Sequence, residues 1–437
     1  MVNPVNDPDS YRETNKQINQ MERRAFLKSG GLAMFGVGMG GVPAFVARAA
    51  GSHKIISPYK KNKILVCIFQ RGAMDGLMAV TPFTDEYLKK ARPTLFMSAA
   101  STAKSPLIDL DGRFGLHPGM KVFEQLFKEK RMAIVHGIGS PNNTRSHFDA
   151  QDYMESGTPF NKGTDSGWLN RAVGLLGHDA SPFRAVSLTS SMPRSFYGDN
   201  PTVSISNIED FGLQGKGGAN LNMAAKSFEE LYDKTTSELL KETGKESFDA
   251  VKILKGADIK NYKPSATANY PKTPLGDSLR QIAQLIKMDV GLEVAFAESM
   301  GWDTHFNQGT ENGIFARNVA DLSNCIAAFW TDLEAMQDDI TLMTMTEFGR
   351  TVKQNGTGGT DHGRGSCNFI LGNDVNGGMV HGNVQPLAVE NLDEGRDLAV
   401  TTDFRSVFSE VADKHLKINN DKALFPEWAG KKIGVMR

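Results

Sequence analysis

The sequence predicts an α/β fold with a central, mostly parallel sheet and helices on both faces. Short, nearly continuous apolar runs alternate along the chain with segments of helical periodicity, and ILVCIFQ at Ile64–Gln70 is the clearest run. Such runs are typical of strands that are covered on both faces. Because strands that alternate with helices usually form a parallel sheet, we expect a single layered α/β architecture.

The individual elements follow from these patterns. Apolar runs predict strands at 64–70, 132–138, 185–188, 293–298, 340–346 and 367–371. Amphipathic spacing predicts helices at 275–286, 315–333 and 403–416, the last with Asp403 as its N-cap. Stretches rich in Gly, Asn and Asp predict long loops at 100–117 and 350–400, and residues 215–272 are expected to form a helical insertion.

The charge balance and the cysteines exclude some classes of protein. The chain has 437 residues, with 49 Lys and Arg against 50 Asp and Glu, and a formal net charge of -1. A general nucleic-acid-binding protein needs a basic face, so no nucleic acid is expected as a partner. Cys67, Cys325 and Cys367 lie in apolar patterns and are expected to be buried thiols, while a Cys67–Cys367 disulfide stays open as an alternative.

Residues 21–49 have the features of a twin-arginine signal peptide. Arg23 and Arg24 precede a weakly apolar, glycine-rich stretch, and Ala47-Arg48-Ala49 offers the small residues that a signal peptidase requires. The glycines disfavour a buried helix, and Pro43 together with the glycines disfavours a membrane anchor. We therefore expect a disordered tail at 1–20, export by the twin-arginine translocase to the periplasm or cell surface, and no stable membrane span after cleavage.

Five polar clusters follow or precede the predicted strands. The carboxyl ends of strands are where open α/β sheets bind ligands. Carboxylates mixed with imidazoles suit a divalent metal such as zinc, manganese, magnesium or calcium. A simple turn remains an alternative at Asp75 and at Asp303, and a helix cap remains one at Thr144 or Ser146. The candidate residues are Asp75, Thr144, Arg145, Ser146, Asp303, His305, Glu347, Arg350, Asp361 and His362.

Six motifs in these clusters resemble a known family. FQRGAMDGL, SPNNTRSHFDAQDYMESG, GWDTH, TEFGRT, GGTDHG and TDFR occur in this order over residues 60–416. In this the chain resembles the bacterial exported family called domain of unknown function 1501, which is similar to the alkaline phosphatase/sulfatase superfamily. The resemblance implies an alkaline phosphatase-like domain at 60–437, two metal ions, and a hydroxyl nucleophile that attacks phosphate or sulfate esters.

The resemblance also implies roles for single residues. Asp303, His305 and His362, with Asp361 beside it, would hold one ion, and Thr144 or Ser146 would be the nucleophile. Asp75 and Glu347 would hold the second ion. The superfamily has a histidine where Phe348 stands, so the resemblance implies that one imidazole is missing. The cysteine signature of sulfatases is also absent from the nucleophile loop.

Three hypotheses follow for function. The first is a metal-dependent hydrolase of small-molecule or polysaccharide esters of phosphate or sulfate, in which Arg145 or Arg350 holds the anionic group. The second is a non-catalytic periplasmic or cell-surface binding protein on the same fold, which the missing imidazole favours. The third, a redox protein with an organic cofactor, lacks support because no GxGxxG follows a strand.

Overall fold

A computed structural model describes residues 63–177, 181–208 and 262–437, together with two short N-terminal strands. The strands are β1 (Leu32–Met34), β2 (Phe45–Arg48), β3 (Ile64–Gln70), β4 (Val80–Pro82), β5 (Ile108–Asp109), β6 (Phe114–Leu116), β7 (Met132–Gly139), β8 (Ala185–Ser187), β9 (Thr202–Ile205), β10 (Val294–Ser299), β11 (Ile340–Met345), β12 (Ser366–Gly372), β13 (Val380–His381) and β14 (Thr402–Asp403). The helices are α1 (Gly76–Ala79), α2 (Glu86–Ala91), α3 (Val122–Lys128), α4 (His147–Ser156), α5 (Trp168–Leu175), α6 (Pro274–Lys287), α7 (Ile314–Leu333), α8 (Phe404–Lys414) and α9 (Asp421–Leu424).

The main sheet is mostly parallel. Its strand order is β1-β2-β9-β8-β10-β3-β11-β12-β7-β13, and β14 also pairs with β7. Strands β9, β8, β10, β3 and β11 are parallel to one another, whereas β12 is antiparallel to both of its neighbours. The carboxyl ends of the parallel strands and the first residue of β12 therefore lie at the same edge. A small antiparallel sheet, β4-β6-β5, stands beside the main one.

Helices cover both faces of the main sheet because the strand residues alternate between two apolar cores. Val66 and Ile68 of β3 pack in one core with α1, α3, α6 and α7. Cys67 and Phe69 of the same strand pack in the other core with α4, α5, α8 and α9. Every residue of β3 is buried, as expected for a strand between two helical layers. The predicted fold class is confirmed.

The predicted elements agree with the structure to within about two residues at the ends, which is ordinary for assigned boundaries. Asp403 caps α8 as expected, since its side chain accepts a hydrogen bond from the Arg405 N–H. The two long loops were predicted too simply. Residues 100–117 contain β5 and β6, and residues 350–400 contain β13 in addition to β12, the strand predicted at 367–371. Pairing with neighbouring segments forms the short strands β5, β6 and β13, so their own sequences carry little signal.

The N-terminal predictions fall mostly outside the described residues. The tail at 1–20 lies wholly outside them, and the leader at 21–49 is described only at β1 and β2, which pair with each other and with β9. Of the expected insertion at 215–272, residues 262–272 are described and contain no helix. Among the described helices, none is long and apolar enough to cross a membrane. All three cysteines are buried free thiols, which confirms that prediction.

Candidate metal centre

The polar side chains meet at the edge where the parallel strands end. His147 begins α4, which follows the loop after β7. Asp303 and His305 lie in the segment after β10, and Glu347 lies directly after β11. His362 precedes β12, and the antiparallel direction of that strand brings it to the same edge.

Three imidazoles point their Nε2 atoms at one another. The Nε2 atom of His362 lies 3.0 Å from that of His147 and 2.9 Å from that of His305. Asp303 completes the group, because its Oδ1 lies 3.3 Å from the His362 Nε2 and 3.0 Å from the His305 Nε2. Ligand atoms of His147, Asp303 and His362 all lie within 4.8 Å of one another. Two triads thus share the Asp303–His362 pair, with His147 on one side and His305 on the other.

The opposite nitrogen of each ring is held by an acceptor. The Nδ1 atom of His147 contacts the Glu347 carboxylate at 2.8 Å, and that of His305 contacts the Asp361 carboxylate at 2.9 Å. The Nδ1 atom of His362 contacts the backbone carbonyl of Arg145 at 2.9 Å. A carbonyl or ionised carboxylate oxygen accepts only, so each Nδ1 donates to it, and the Nε2 of a ring is bare whenever that ring is neutral.

Bare nitrogens about 3 Å apart cannot hydrogen-bond to one another, whereas a shared cation satisfies them. Two nitrogens that bind one ion at about 2.1 Å are separated by roughly 3 Å or slightly more. Histidine ligands of metal ions also usually donate their other N–H to a carboxylate or carbonyl, which fixes the ring. The residues present therefore fit a divalent metal ion.

Asp303 is oriented by a buried arginine. The Arg350 NH1 donates to the Asp303 Oδ1 at 2.7 Å, and the remaining guanidinium nitrogens donate to the hydroxyl and the carbonyl of Thr360. The Arg350 side chain is fully buried, whereas that of Asp303 is 44% exposed. Burial alone would raise the pKa of Asp303, but the bond and charge of Arg350 outweigh it and lower the pKa. The carboxylate is therefore ionised and fixed.

Glu347 is a fully buried carboxylate that stays ionised. Burial would raise its pKa, but the hydrogen bonds from His147, Gln151 and the Gly72 N–H outweigh that effect and lower it. The hydrogen bond between His147 and Glu347 also raises the pKa of the His147 imidazole. Burial lowers the pKa of His362, which favours its neutral, metal-binding form.

Two glycines allow the loops of the centre to approach closely. Gly72 has φ +113°, and a Cβ there would lie 2.6 Å from the backbone nitrogen of Asp303. A Cβ at Gly359 would lie 2.3 Å from the carbonyl oxygen of Thr304. Residues with a side chain would push the Asp303 segment away from both neighbouring loops.

A buried amide joins these loops beneath the centre. The Gln308 Nε2 donates to the Asp75 Oδ2 at 2.7 Å, and its Oε1 accepts from the hydroxyls of Thr304 at 2.9 Å and Thr360 at 2.8 Å. Asp75 is also bound through both oxygens to the Arg92 guanidinium. Asp75 is thus a buried structural anchor, and the structure does not bring it into the group of ligands.

The structure brings together some of the candidates and separates others. Asp303, His305 and His362 converge, while Glu347, Asp361 and Arg350 contact and orient these ligands. Glu347 thus supports His147, in place of holding a second ion with Asp75.

The remaining candidates lie on the loop that leads to α4. The Arg145 side chain is engaged by Asp397 and Glu394. Because Arg350 likewise donates to Asp303, both guanidinium groups already use N–H donors on carboxylates of the chain, and neither offers a free pair of donors to an anion. Thr144 accepts a hydrogen bond from the Ser146 N–H, and the Ser146 side chain makes no capping bond to α4.

His147 is the functional residue that sequence reasoning missed. In the polar loop before α4, the candidates predicted from sequence were Thr144, Arg145 and Ser146. Phe348 offers no ligand, as the sequence indicates, and His147 brings a third ring to the centre from another element. The centroid of the His147 ring lies 4.9 Å from that of the Phe348 ring, and the centroid of the His362 ring lies 5.1 Å from that of the same Phe348 ring. The feature of the sequence that could have indicated His147 is its position directly after the candidate Ser146 in the motif.

Comparisons with known proteins agree with the resemblance in the motifs. The sequence profile of a family described as protein of unknown function (DUF1501) matches residues 62–425. No curated protein matches the chain. The fold is similar to the C-terminal periplasmic domain of EcEptC from Escherichia coli, solved in complex with zinc, at 9% identity and a TM-score of 0.33, covering 72% of this chain and 73% of that one. It is also similar to a protein in the alkaline phosphatase superfamily from Vibrio parahaemolyticus, at 10% identity and a TM-score of 0.29, covering 85% and 74%.

Proposed function

The chain belongs to the family described as protein of unknown function (DUF1501), and from that premise we propose that it is a metal-dependent hydrolase of phosphate or sulfate esters. One observation supports the assignment of a metal centre. Three imidazoles direct bare Nε2 atoms at one another, and each is fixed from behind by an acceptor. A divalent cation between the ring nitrogens would satisfy them, and the acceptors behind the rings are those that metal-bound histidines usually have.

The ligand set narrows the choice of metal. His147, Asp303 and His362, with His305 beside them, give a set rich in imidazole. Magnesium, calcium and manganese prefer oxygen ligands, so the set favours zinc among the four ions expected from sequence. A carboxylate in such a set is ordinary for zinc.

The exposure of the ligands favours a catalytic centre over a structural one. The side chains of His147 and His362 are 25% and 24% exposed, and that of His305 is 42% exposed. A structural metal site is closed by protein, whereas a catalytic one keeps a position open. A bound ion would act there as a Lewis acid that stabilises negative charge on ester oxygens. Glu347 and Asp361 hold the rings in place, and Arg350 holds the carboxylate.

Ser146 is the better of the two candidate nucleophiles. It is exposed, stands directly before His147 in sequence, and occupies the N-cap of α4 without making the capping bond. The Thr144 hydroxyl is engaged by the Ser146 N–H at 3.2 Å. We therefore expect Ser146→Ala to abolish hydrolysis with the metal retained, and Thr144→Ala to have the smaller effect.

Metal analysis of the purified mature protein tests the centre. We expect bound divalent metal in the wild type and its loss in His147→Asn and His362→Asn. His381→Asn is the matched control, because His381 lies in β13 beside Val135 in the middle of β7, and its Nε2 contacts the carbonyl of Asn376. Wild-type protein that binds none of the four ions would overturn the proposal.

A panel of phosphate and sulfate esters then separates catalysis from binding. The binding-protein hypothesis is favoured by the engagement of Arg145 and Arg350 with carboxylates, which leaves the metal as the anion-binding group. If the loaded protein binds inorganic phosphate or sulfate but hydrolyses no ester, the non-catalytic function is the correct one.

Export belongs to the proposal as well. A twin-arginine leader at 21–49 would direct the mature protein to the periplasm or the cell surface, where small-molecule or polysaccharide esters would be its substrates. Replacing Arg23 and Arg24 by lysine should retain the protein in the cytoplasm, as cell fractionation would show. Unchanged fractionation would count against the twin-arginine route.

A further inference from the structure

Large apolar side chains are exposed on the loops around the metal centre. Among the described residues, the five most exposed are Phe148 at 90%, Phe160 at 68%, Val389 at 67%, and Met300 and Phe306 at 64% each. Phe148 directly follows His147, and Phe306 directly follows His305. Two aromatic residues thus directly follow His147 and His305, the two histidines whose Nε2 atoms approach that of His362.

The other three side chains lie on segments tied to the same loops. Phe160 is held beside the start of α4, because the Asn142 Nδ2 donates to the carbonyl of Pro159 at 2.7 Å and Lys162 pairs with Asp149. The segment from β10 to α7 carries Met300 as well as Phe306.

Val389 precedes Glu394 and Asp397, the two carboxylates that hold the Arg145 guanidinium. We call the set Phe148, Phe160, Met300, Phe306 and Val389 the apolar rim.

The rim is unlike the rest of the described surface. Single exposed apolar residues are ordinary, but a group of them around one site marks a surface that something apolar covers. The group continues directly from the metal ligands, so its occupant must also reach the centre. A molecule with an anionic head and an apolar remainder meets both conditions.

We propose that the apolar rim binds the hydrocarbon part of an amphiphilic ester whose phosphate or sulfate head lies at the metal centre. This inference rests on the proposed function, since the metal holds the head. Phe148 and Phe306 would flank the chain nearest the head. The natural substrates would then be esters of long-chain or otherwise bulky apolar alcohols.

Binding of n-alkylphosphonates to the metal-loaded mature protein tests the inference by calorimetry. These probes keep the anionic head constant, are not hydrolysed as esters, and differ only in tail length from methyl to octyl. Full burial of one methylene is worth about 0.8 kcal/mol, or roughly fourfold in affinity, so we expect a gain of about two- to fourfold per added methylene.

Phe148→Ser and Phe306→Ser should each reduce this gain while the affinity for methylphosphonate stays the same. Met379→Ser is the matched control, because Met379 is 45% exposed and lies beside the first residues of β7, at the far end of the sheet. It should leave the whole series unchanged.

The outcomes separate the inference from the proposed function. If all tails bind equally well, the inference is overturned and the metal centre stands. A gain per methylene that survives in both phenylalanine variants also overturns it. Sedimentation that shows a dimer in wild type and a monomer in Phe148→Ser would assign the rim to a second copy instead. Failure of the wild type to bind metal removes the proposed function and the inference together.

Discussion

The Nδ1 atom of His147 lies 2.8 Å from the Oε1 atom of Glu347, a carboxylate that is fully buried at the end of β11. The Gly72 N–H and the Gln151 amide donate to the same oxygen. One carboxylate oxygen thus fixes the tautomer of an imidazole and joins three separate segments of the chain. Its position decides which nitrogen of His147 faces the centre.

Glu347→Gln should weaken metal binding by about 10- to 100-fold, the usual effect of changing a group that orients a ligand. The amide oxygen can still accept from His147, but the negative charge that makes the ring more basic is gone. Competition with a chelator measures the dissociation constant. Glu298→Gln is the control, because Glu298 pairs with Arg71 at 2.7 Å. Equal affinity in the two variants would contradict the assigned role of Glu347.

Gly72→Ala should destabilise the fold and displace Asp303. The new Cβ would lie 2.6 Å from the Asp303 backbone nitrogen, and φ is +113°. Gly112→Ala is the control, since φ there is +82° but nothing lies within 4 Å. The backbone conformation should lower the free energy of unfolding of each variant by about 1–2 kcal/mol. The clash should lower that of Gly72→Ala by about 1–3 kcal/mol more. Urea unfolding that gives equal losses would show that the two loops are not packed as described.

Gln308→Leu should lower the free energy of unfolding by on the order of 3 kcal/mol, because it leaves the buried Thr304 hydroxyl without its acceptor and removes one buried hydrogen bond each from Asp75 and Thr360. The exposed Gln125→Leu in α3 should change it by less than about 0.5 kcal/mol. Denaturant titration of both variants in chelator isolates the effect from metal binding. A loss of similar size in the two would mean that the buried amide is not a structural link.

Acid should weaken the fold through His136. Burial lowers the pKa of this imidazole from 6.5 to about 4, and its Nε2 contacts the Val80 carbonyl at 2.9 Å. As the pH falls, His136 binds a proton near pH 6.5 in the unfolded chain but only near pH 4 in the folded chain. The stability that depends on neutral His136 is therefore fully present above pH 6.5 and is lost between pH 6.5 and 4. The loss amounts to roughly 3 kcal/mol of the free energy of unfolding.

The pH dependence can be assigned by substitution. His136→Asn should be less stable than the wild type at neutral pH but lose less stability as the pH falls towards 4. Unfolding is measured in chelator over that range, so that metal release adds nothing to the difference. Parallel pH profiles for the two proteins would contradict the prediction.

The sequence was sufficient to predict the main sheet because its strands carry their own signal. β3 is buried on both faces and apolar up to its last residue, Gln70, and β11 and β12 are also fully buried and mainly apolar. Short strands such as β5 and β14 have two residues each and depend on their partners. Their formation is a property of the assembled sheet, so local composition could not reveal it.

The site was predicted in part for a related reason. Asp303, His305 and His362 were among the candidates because the short motifs GWDTH and GGTDHG each place a carboxylate next to or near an imidazole. The loop before α4 offers several polar side chains, and only the start of the helix decides that His147 faces the centre. Asp75 was misleading because its partner Arg92 lies 17 positions further along the chain, directly after α2, and satisfies its charge.

The antiparallel direction of β12 has a consequence for how the centre arises during folding. His362 meets His147 across 215 positions of sequence and His305 across 57. Contacts between such distant positions form late, after the intervening chain has lost most of its entropy. High metal affinity would therefore develop only when the sheet is complete, and occupancy of the centre would report that folding has finished.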